Sequence, residues 1–512
     1  MKKIIILVYL LFWAGLCQAD KYWIYFTDKG TQSLSISNVS GQTIKNRQKL
    51  NLPLLQFSDV PVYFTYLDSL KTLEIKAICQ SKWLNAISAE LAPWQIERLQ
   101  NISFVQRIEK INSRTLFATA GNDSLVTYDF VLQQINAKAI TEAGLSGNGV
   151  AIGILDGGFL DAPENKLLKH IFNKRRYVLA RDFVNPAKEN LFKGAESSID
   201  WHGTSVWTNI AGFDSTDQIK YGLATDATFY LARTDHGRDE FREEEDYWVA
   251  ALEWMDSLGV RLVNSSLGYS IDFDDPEENY QVHEMDGETS TVAQAATIAV
   301  NKKGMLIVAS AGNEGNVASW QVVSTPADAK GVLAVGATDS NGRKTNYSAI
   351  GPEFLPYIKP DVACYSSFGT SFSAPVITGL AACLLQYNDS LSNFQIIEII
   401  KKSAHLRAKP NNYLGYGIPD ANMIMANLRH KQLQKDEVEE IIVKKNTIDL
   451  QHDSNKVVVF HKTADQWVKG QELLYKNEDK DYFQIKNIAK ARQSTVTDGK
   501  KVWEIIWQQQ EN

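Results

Sequence analysis

Apolar residues in the middle of the chain form short continuous runs rather than strictly alternating ones. Continuous runs of this length are typical of strands that are buried on both faces of a parallel sheet. Five such runs predict five strands, at 150–155, 227–232, 260–263, 305–309 and 331–336.

Between these runs, apolar residues recur at helical spacing. One predicted helix carries Trp248, Ala251, Leu252 and Met255, and another carries Val292, Ala295, Ala296 and Ala299, with Gly304 as its expected C-cap. Ser392 and Gln395 form a capping box at the start of a further helix. Strands that alternate with helices predict an α/β domain with a parallel sheet and right-handed crossovers, over residues 125–428.

The segment before this domain has a different pattern. We predict a strand at 21–26, a short helix at 92–99 and a closing strand at 104–111, which together make a small α+β unit. The small and polar residues 113–124 predict an exposed linker. Residues 20–124 are therefore interpreted as one unit with its linker.

The tail, residues 429–512, differs again. Residues 430–445 are charged and predict a helix, whereas 457–460 and 502–507 predict strands. No candidate catalytic group lies in this C-terminal extension, and we expect the chemistry of the central domain to survive without it.

The N-terminus resembles a targeting signal. Lys2 and Lys3 precede an apolar run at 4–16, and Ala19 provides a small residue for signal peptidase. A membrane anchor is the alternative, although the run is short for a bilayer span. Lipidation of Cys17 is a second alternative. A signal peptide at 1–19 predicts a protein that is secreted, periplasmic or held at the cell surface, with no membrane span after removal.

Charge and cysteine content narrow the classes of function. The formal net charge of -7, without a basic cluster, argues against a nucleic-acid partner. Cys364 and Cys383 are expected to be buried free thiols, with a disulfide as the alternative. The acidic runs 243–246 and 272–278 have oxygen ligands that suit calcium, but a solvated acidic surface is the simpler interpretation. No metal or cofactor is assigned.

Three motifs carry candidate chemistry. Asp156 follows the first strand of the central domain, where parallel sheets place their sites. His202 lies in an Asp-Trp-His-Gly-Thr segment, and Ser371 lies in Gly-Thr-Ser-Phe-Ser-Ala-Pro, with Pro375 suited to the first turn of a helix through Tyr387. Each motif alone is weak, but the order Asp, His, Ser on an α/β pattern is specific for one kind of serine hydrolase.

A fourth element fits the same chemistry. Asn313 follows the predicted strand at 305–309 on a loop. Acyl transfer develops an oxyanion, and a side-chain amide is one way to stabilise it. The alternative is that Asn313 serves only to make an Asn-Glu-Gly turn.

Together these motifs resemble the subtilisin-like serine proteases over most of residues 125–428. The resemblance implies a catalytic triad of Asp156, His202 and Ser371, an oxyanion hole at Asn313, and an inhibitory propeptide at 20–112. It also implies two walls that bind extended substrate, formed by Ser266, Leu267 and Gly268 on one side and by Ser310, Ala311 and Gly312 on the other.

The sequence departs from the family pattern at two positions. Gly157 stands where the family usually has Ser or Thr, and Ser205 stands where a second His is common. Neither change removes a triad residue, so we expect activity to survive, with a slightly different position of the Asp156 side chain.

The predicted function is a secreted serine endopeptidase that acts on protein or peptide substrates through an acyl-enzyme and removes its own propeptide. A catalytically silent binding protein at the cell surface is the main alternative, but its mark would be a missing triad residue. A non-protease serine hydrolase would show a Gly-x-Ser-x-Gly elbow and another triad order. A third alternative is a surface-attachment role set by the tail.

Overall fold

In the computed structural model, the residues described are 20–36, 39–111, 129–174, 176–195, 197, 199–237, 241–271, 273, 276–430, 438–476, 481–488 and 490–508. The signal peptide predicted at 1–19 and the linker predicted at 113–124 lie outside this set, as does part of the acidic run at 272–278. Within the described ranges, no helix is long and apolar enough to cross a membrane.

The first unit is a four-stranded antiparallel sheet with three helices. The strand order is β2-β3-β1-β4; the predicted closing strand is present, and it pairs with the first strand. Its elements are β1 (Asp20–Phe26), α1 (Gly41–Lys49), α2 (Phe64–Lys71), β2 (Cys79–Ser81), β3 (Ala86–Leu91), α3 (Pro93–Leu99) and β4 (Val105–Ile111).

The central domain is built on a seven-stranded parallel sheet, which confirms the predicted α/β class. Its order is β13-β12-β11-β10-β5-β9-β6. The strands are β5 (Ala151–Asp156), β6 (Tyr177–Asp182), β9 (Thr228–Arg233), β10 (Leu262–Ser265), β11 (Leu306–Ser310), β12 (Leu333–Thr338) and β13 (Val362–Tyr365), and a small hairpin adds β7 (Phe213–Asp214) and β8 (Ile219–Lys220).

The helices of this domain cover both faces of the sheet. They are α4 (Asp129–Gln134), α5 (Lys138–Glu142), α6 (Lys169–Asn173), α7 (His202–Ala211), α8 (Glu243–Leu258), α9 (Thr291–Ile298), α10 (Ala374–Tyr387), α11 (Asn393–Ser403) and α12 (Ala421–His430). Pro375 occupies the first turn of α10, and the capping box of Ser392 and Gln395 begins α11. Both features were predicted from local sequence.

Successive strand residues face opposite layers, which explains the continuous apolar runs. Leu262 belongs to the core beneath α7 and α10, whereas its neighbour Val263 belongs to the core beneath α8 and α9. Because both faces of β10 are covered here, Leu262 and Val263 are both apolar and the run does not alternate.

The tail folds into a β-structure that packs on the central domain. A five-stranded sheet has the order β14-β20-β19-β16-β17, beside a β15-β18 pair. The strands are β14 (Val438–Val443), β15 (Thr447–Gln451), β16 (Lys456–Ala464), β17 (Trp467–Tyr475), β18 (Tyr482–Lys486), β19 (Gln493–Thr497) and β20 (Val502–Trp507). The helix predicted at 430–445 is wrong for its second half, because β14 pairs in parallel with β20, a long-range contact that overrides local propensity.

The tail is bound to the central domain by apolar and polar contacts. Phe460 and Val468 share a buried cluster with Leu406 and Leu414 of the central domain. Gln471 also exchanges two hydrogen bonds with the main chain of Lys344, at 3.0 and 2.7 Å. The tail is therefore part of the packed molecule.

The first unit packs on α8 through carboxylates of that helix. Lys21 pairs with buried Asp246 at 2.5 Å. Glu253 accepts hydrogen bonds from the Ser81 hydroxyl at 2.6 Å and from the N–H of Trp83 at 3.0 Å. Groups of the first unit thus supply a cation to Asp246 and hydrogen bonds to Glu253, so that unit and the central domain fit as complementary surfaces.

Candidate active site

Loops from several strands meet at the carboxyl edge of the parallel sheet. Asp156 is the last residue of β5. The segments that follow the neighbouring strands β9, β10 and β11 begin at the same edge of the sheet. The register aligns Leu155 with Ser265 and Ser265 with Ala309, so these strands end at one level. This edge is where open α/β sheets bind their ligands.

Asp156 and His202 are joined by a short hydrogen bond. His202 Nδ1 lies 2.7 Å from Asp156 Oδ1, and the Asp156 side chain is fully buried. Gly203 permits this approach, because a Cβ there would lie 2.4 Å from the Gly158 carbonyl oxygen. With the Nδ1 proton directed to Asp156, neutral His202 leaves Nε2 free to accept a proton.

The charges near His202 favour its imidazolium form. Burial disfavours that form, but the carboxylates of Asp156 and Asp235 outweigh it and raise the pKa of His202 above 6.5. Asp235 follows β9, and burial together with the charge of Asp156 raises its own pKa to about 6. Sequence reasoning missed Asp235, because no local motif marks it.

Ser371 lies in a 3-10 turn that leads into α10. Its hydroxyl donates a hydrogen bond to the main-chain carbonyl of Ser266 at 3.1 Å. The ring of the next residue, Phe372, lies 5.4 Å from the imidazole of His202, centroid to centroid. The turn that carries Ser371 therefore contacts His202 through Phe372 and leads into a helix, where the local field favours negative charge.

Asn313 has a fixed side-chain orientation. Its Oδ1 accepts hydrogen bonds from the N–H of Thr370 at 2.9 Å and from the Thr370 hydroxyl at 3.1 Å. Because a main-chain N–H can only donate, the amide oxygen must face Thr370, and the amide NH₂ is left as a donor beside Ser371. The Asn313 side chain therefore joins its loop to the segment that carries Ser371.

The two predicted substrate walls lie at the same edge. Ser266, Leu267 and Gly268 follow β10, and Ser310 ends β11 before Ala311 and Gly312. The hydroxyl of Ser324, a residue that no sequence motif marks, lies between the walls. It is 2.2 Å from where a Cβ of Gly268 would stand and 3.0 Å from where a Cβ of Gly312 would stand. Larger residues at either glycine would close this space.

The departure at Gly157 has a structural cause. The Ile199 side chain fills the space beside Gly157, where a Cβ would come within 2.3 Å of it. The N–H of Gly157 donates to Asp156 Oδ1 at 2.8 Å, while buried Asp156 Oδ2 has no hydrogen-bond partner among the described residues. At the second departure, Ser205 lies within the first turn of α7.

The acidic run 243–246 is occupied by protein partners. Glu244 accepts from the N–H of His236, Glu245 accepts from the Tyr280 hydroxyl, and Asp246 pairs with Lys21. Over the part of the chain that the structure describes, no group of three or more His, Cys, Asp or Glu side chains is arranged to hold a metal ion. The thiols of Cys364 and Cys383 are buried and free, as expected.

Comparisons with known proteins agree with this geometry. The model of the Subtilase family matches residues 147–417, over half of the chain, and that of the Peptidase S8 propeptide domain, Bacteroidota, matches residues 21–124. Subtilisin NAT from Bacillus subtilis subsp. natto is 26% identical over 336 residues, covering 64% of this chain and 77% of the relative.

An alkaline protease from Alkalihalobacillus alcalophilus is also 26% identical, over 358 residues, covering 68% of this chain and 81% of the relative. Among solved structures, a mutant of the epidermin leader peptide processing serine protease from Staphylococcus aureus has a TM-score of 0.56 at 15% identity, covering 80% of this chain and 99% of that one. At that identity the structural likeness shows a shared fold.

Proposed function

The chain belongs to the subtilase family of serine endopeptidases, and from that premise we propose that Asp156, His202 and Ser371 are its catalytic triad. The observation that carries the proposal is the 2.7 Å hydrogen bond between His202 and Asp156, formed at the edge of the sheet where Phe372, the residue after Ser371, contacts the His202 ring. The motif order Asp, His, Ser supports the same assignment.

In this mechanism, Ser371 Oγ attacks the carbonyl carbon of the scissile peptide bond. His202 Nε2 takes the hydroxyl proton and gives it to the leaving amine, which releases the first product and leaves an acyl-enzyme. Asp156 holds the imidazole and stabilises its cation. Water, activated by the same His202, then hydrolyses the ester and restores Ser371.

The oxyanion of each tetrahedral intermediate is stabilised by two donors. One is the amide NH₂ of Asn313, whose oxygen is already held by Thr370. The other is the main-chain N–H of Ser371. Ser371 lies in the short 3-10 helix at Thr370–Phe372, and the first N–H groups of a helix have no partners within it. Both donors are fixed before substrate binds, so little reorganisation is needed.

Extended peptide is the proposed substrate. A chain laid along Ser266, Leu267 and Gly268 would pair with main-chain groups as an added strand. One substrate side chain would enter between Gly268 and Gly312, where Ser324 limits its size. We propose no metal or cofactor in this reaction.

The propeptide domain is the proposed first substrate. Its interface with α8 uses buried ion pairs and hydrogen bonds, as at Asp246 and Glu253, and this supports its role as an intramolecular inhibitor. We propose that the enzyme cuts itself between residues 112 and 125. The signal-like segment at 1–19 supports export before maturation.

Self-processing gives a direct test of this function. Wild type and Ser371→Ala are produced in a protease-deficient host, and both N-termini are sequenced. We expect wild type to begin between residues 112 and 125 and Ser371→Ala to keep the propeptide. If the mutant is cut at the same bond, another enzyme does the processing. If neither chain is cut and wild type cleaves no peptide, a silent binding protein is the better interpretation.

A further inference from the structure

A buried arginine lies behind the proposed triad. Arg233 ends β9, directly across the sheet register from Asp156, and only 2% of it is exposed. Its Nε donates to the carbonyl of Gly157 at 3.0 Å, and Nη1 donates to Asp182 at 3.1 Å. Its Nη2 donates to the carbonyl of His236 at 3.2 Å and lies 3.7 Å from a carboxylate oxygen of Asp200. One guanidinium thus contacts four segments of the chain.

Two of these segments adjoin proposed triad residues. Gly157 is the residue after Asp156, and Asp200 lies two residues before His202. The segments are also in close contact, since a Cβ on Gly158 would lie 2.6 Å from Asp200 Cα. A shift of the Arg233 side chain would therefore move both partners of the His202–Asp156 hydrogen bond.

The same arginine balances several buried carboxylates. Asp182 and Asp200 are each 3% exposed, and both pair with Arg233. Its charge also opposes the rise in the pKa of Asp235, which burial and Asp156 cause. Buried carboxylates that lack a cation are costly, so the local fold depends on this charge.

We propose that Arg233 is a positioning residue for catalysis, which couples the segment after Asp156 to the segment before His202. This inference rests on the proposed function of the triad. The planar guanidinium has donors that point in fixed, different directions, and this is what its carbonyl and carboxylate partners require. A lysine would keep the charge but could not address Gly157, Asp182 and Asp200 together.

The expected signature is a loss of kcat without a matching loss of binding. Displacing His202 against Asp156 by a fraction of an ångström changes the proton transfer but leaves the substrate walls at β10 and β11 untouched. Misplacement on that scale costs about tenfold to a hundredfold in rate. KM should stay within about twofold, because the contacts that bind the substrate are the same in wild type and variant.

The test compares Asp200→Asn and Arg233→Lys with a matched control, Asp214→Asn. Asp214 is also a buried carboxylate, 4% exposed, but it lies beyond the other end of α7 and pairs with Lys166. Each full-length chain is allowed to mature, and kcat, KM and Tm are measured on the mature enzyme, with wild type and the unprocessed Ser371→Ala chain alongside.

We expect Asp200→Asn and Arg233→Lys to lower kcat at least tenfold with little change in KM, and the double variant to be no worse than the weaker single variant. Asp214→Asn should change Tm but leave kcat within about threefold. The inference is overturned if all three variants lose kcat only in proportion to Tm, or if Asp200→Asn keeps full kcat. An inactive wild type, or an active Ser371→Ala, would instead overturn the proposed function.

Discussion

Ser371 and Ser266 are joined by two reciprocal hydrogen bonds. The Ser371 hydroxyl donates to the Ser266 carbonyl at 3.1 Å, and the Ser266 hydroxyl donates to the Ser371 carbonyl at 2.9 Å. In this resting arrangement the proposed nucleophile is directed at the substrate-binding segment rather than at His202. Proton transfer requires the Ser371 Oγ to turn from the Ser266 carbonyl toward the imidazole, and catalytic hydrogen bonds often tighten only when substrate is bound.

The role of Asn313 can be separated from that of its loop. Asn313→Ala should lower kcat by about a hundredfold or more with little change in KM, because the lost donor acts only on the oxyanion. Asn316→Ala is the matched control, since Asn316 is an exposed residue of the same loop and should leave kcat unchanged. A large rise in KM at constant kcat would show that Asn313 binds substrate instead.

Asp235 should set the acid limb of the pH profile. Activity needs neutral His202, so it is lost as pH falls through the raised pKa of His202. The Asp235 carboxylate favours the imidazolium, and it is charged above its own pKa of about 6. Asp235→Asn should therefore lower the pKa of His202 and move the acid limb of kcat/KM to lower pH.

The control for this shift is Asp161→Asn, which changes an exposed carboxylate. It should leave the limb in place. If the acid limb of kcat/KM is unchanged in Asp235→Asn, or moves to higher pH, then Asp235 does not raise the pKa of His202.

Local sequence was sufficient for the central strands and for the motifs at their ends. The runs that became β5, β9, β10, β11 and β12 are apolar on both faces, and parallel strands end at one edge, so Asp156 and Asn313 could be assigned to a common site. The strands β6 and β13 were missed. β6 carries Arg181 and Asp182, and β13 is only four residues long.

Contacts between segments that are distant in the chain could not be predicted from local sequence patterns. Arg233 has a meaning only once Gly157 and Asp200 lie beside it, and Ser324 only once Gly268 and Gly312 face each other. The orientation of the Asn313 amide likewise depends on Thr370.

The tail should contribute stability rather than chemistry. A chain that ends at Arg429 loses the strands that cover Leu406 and Leu414, and each exposed leucine costs about 1.5–3 kcal/mol. We expect kcat/KM within a few-fold of wild type at low temperature, with Tm lower by about 5 °C or more. A chain ending at Gln508 is the control. Loss of kcat at an unchanged Tm would place the tail in the catalytic machinery.

Reaction with a fluorophosphonate tests the triad most directly, because the probe reacts with activated serine hydroxyls and needs no peptide substrate. The mature wild-type enzyme is labelled, digested and analysed by mass spectrometry to locate the modified residue. His202→Ala is treated in parallel after its propeptide has been removed with an added protease, because this variant is not expected to process itself. The account predicts one adduct, on Ser371, and a labelling rate at least a thousandfold lower in His202→Ala. An adduct on another serine with Ser371 unmodified, or equal labelling of the two proteins, would contradict it.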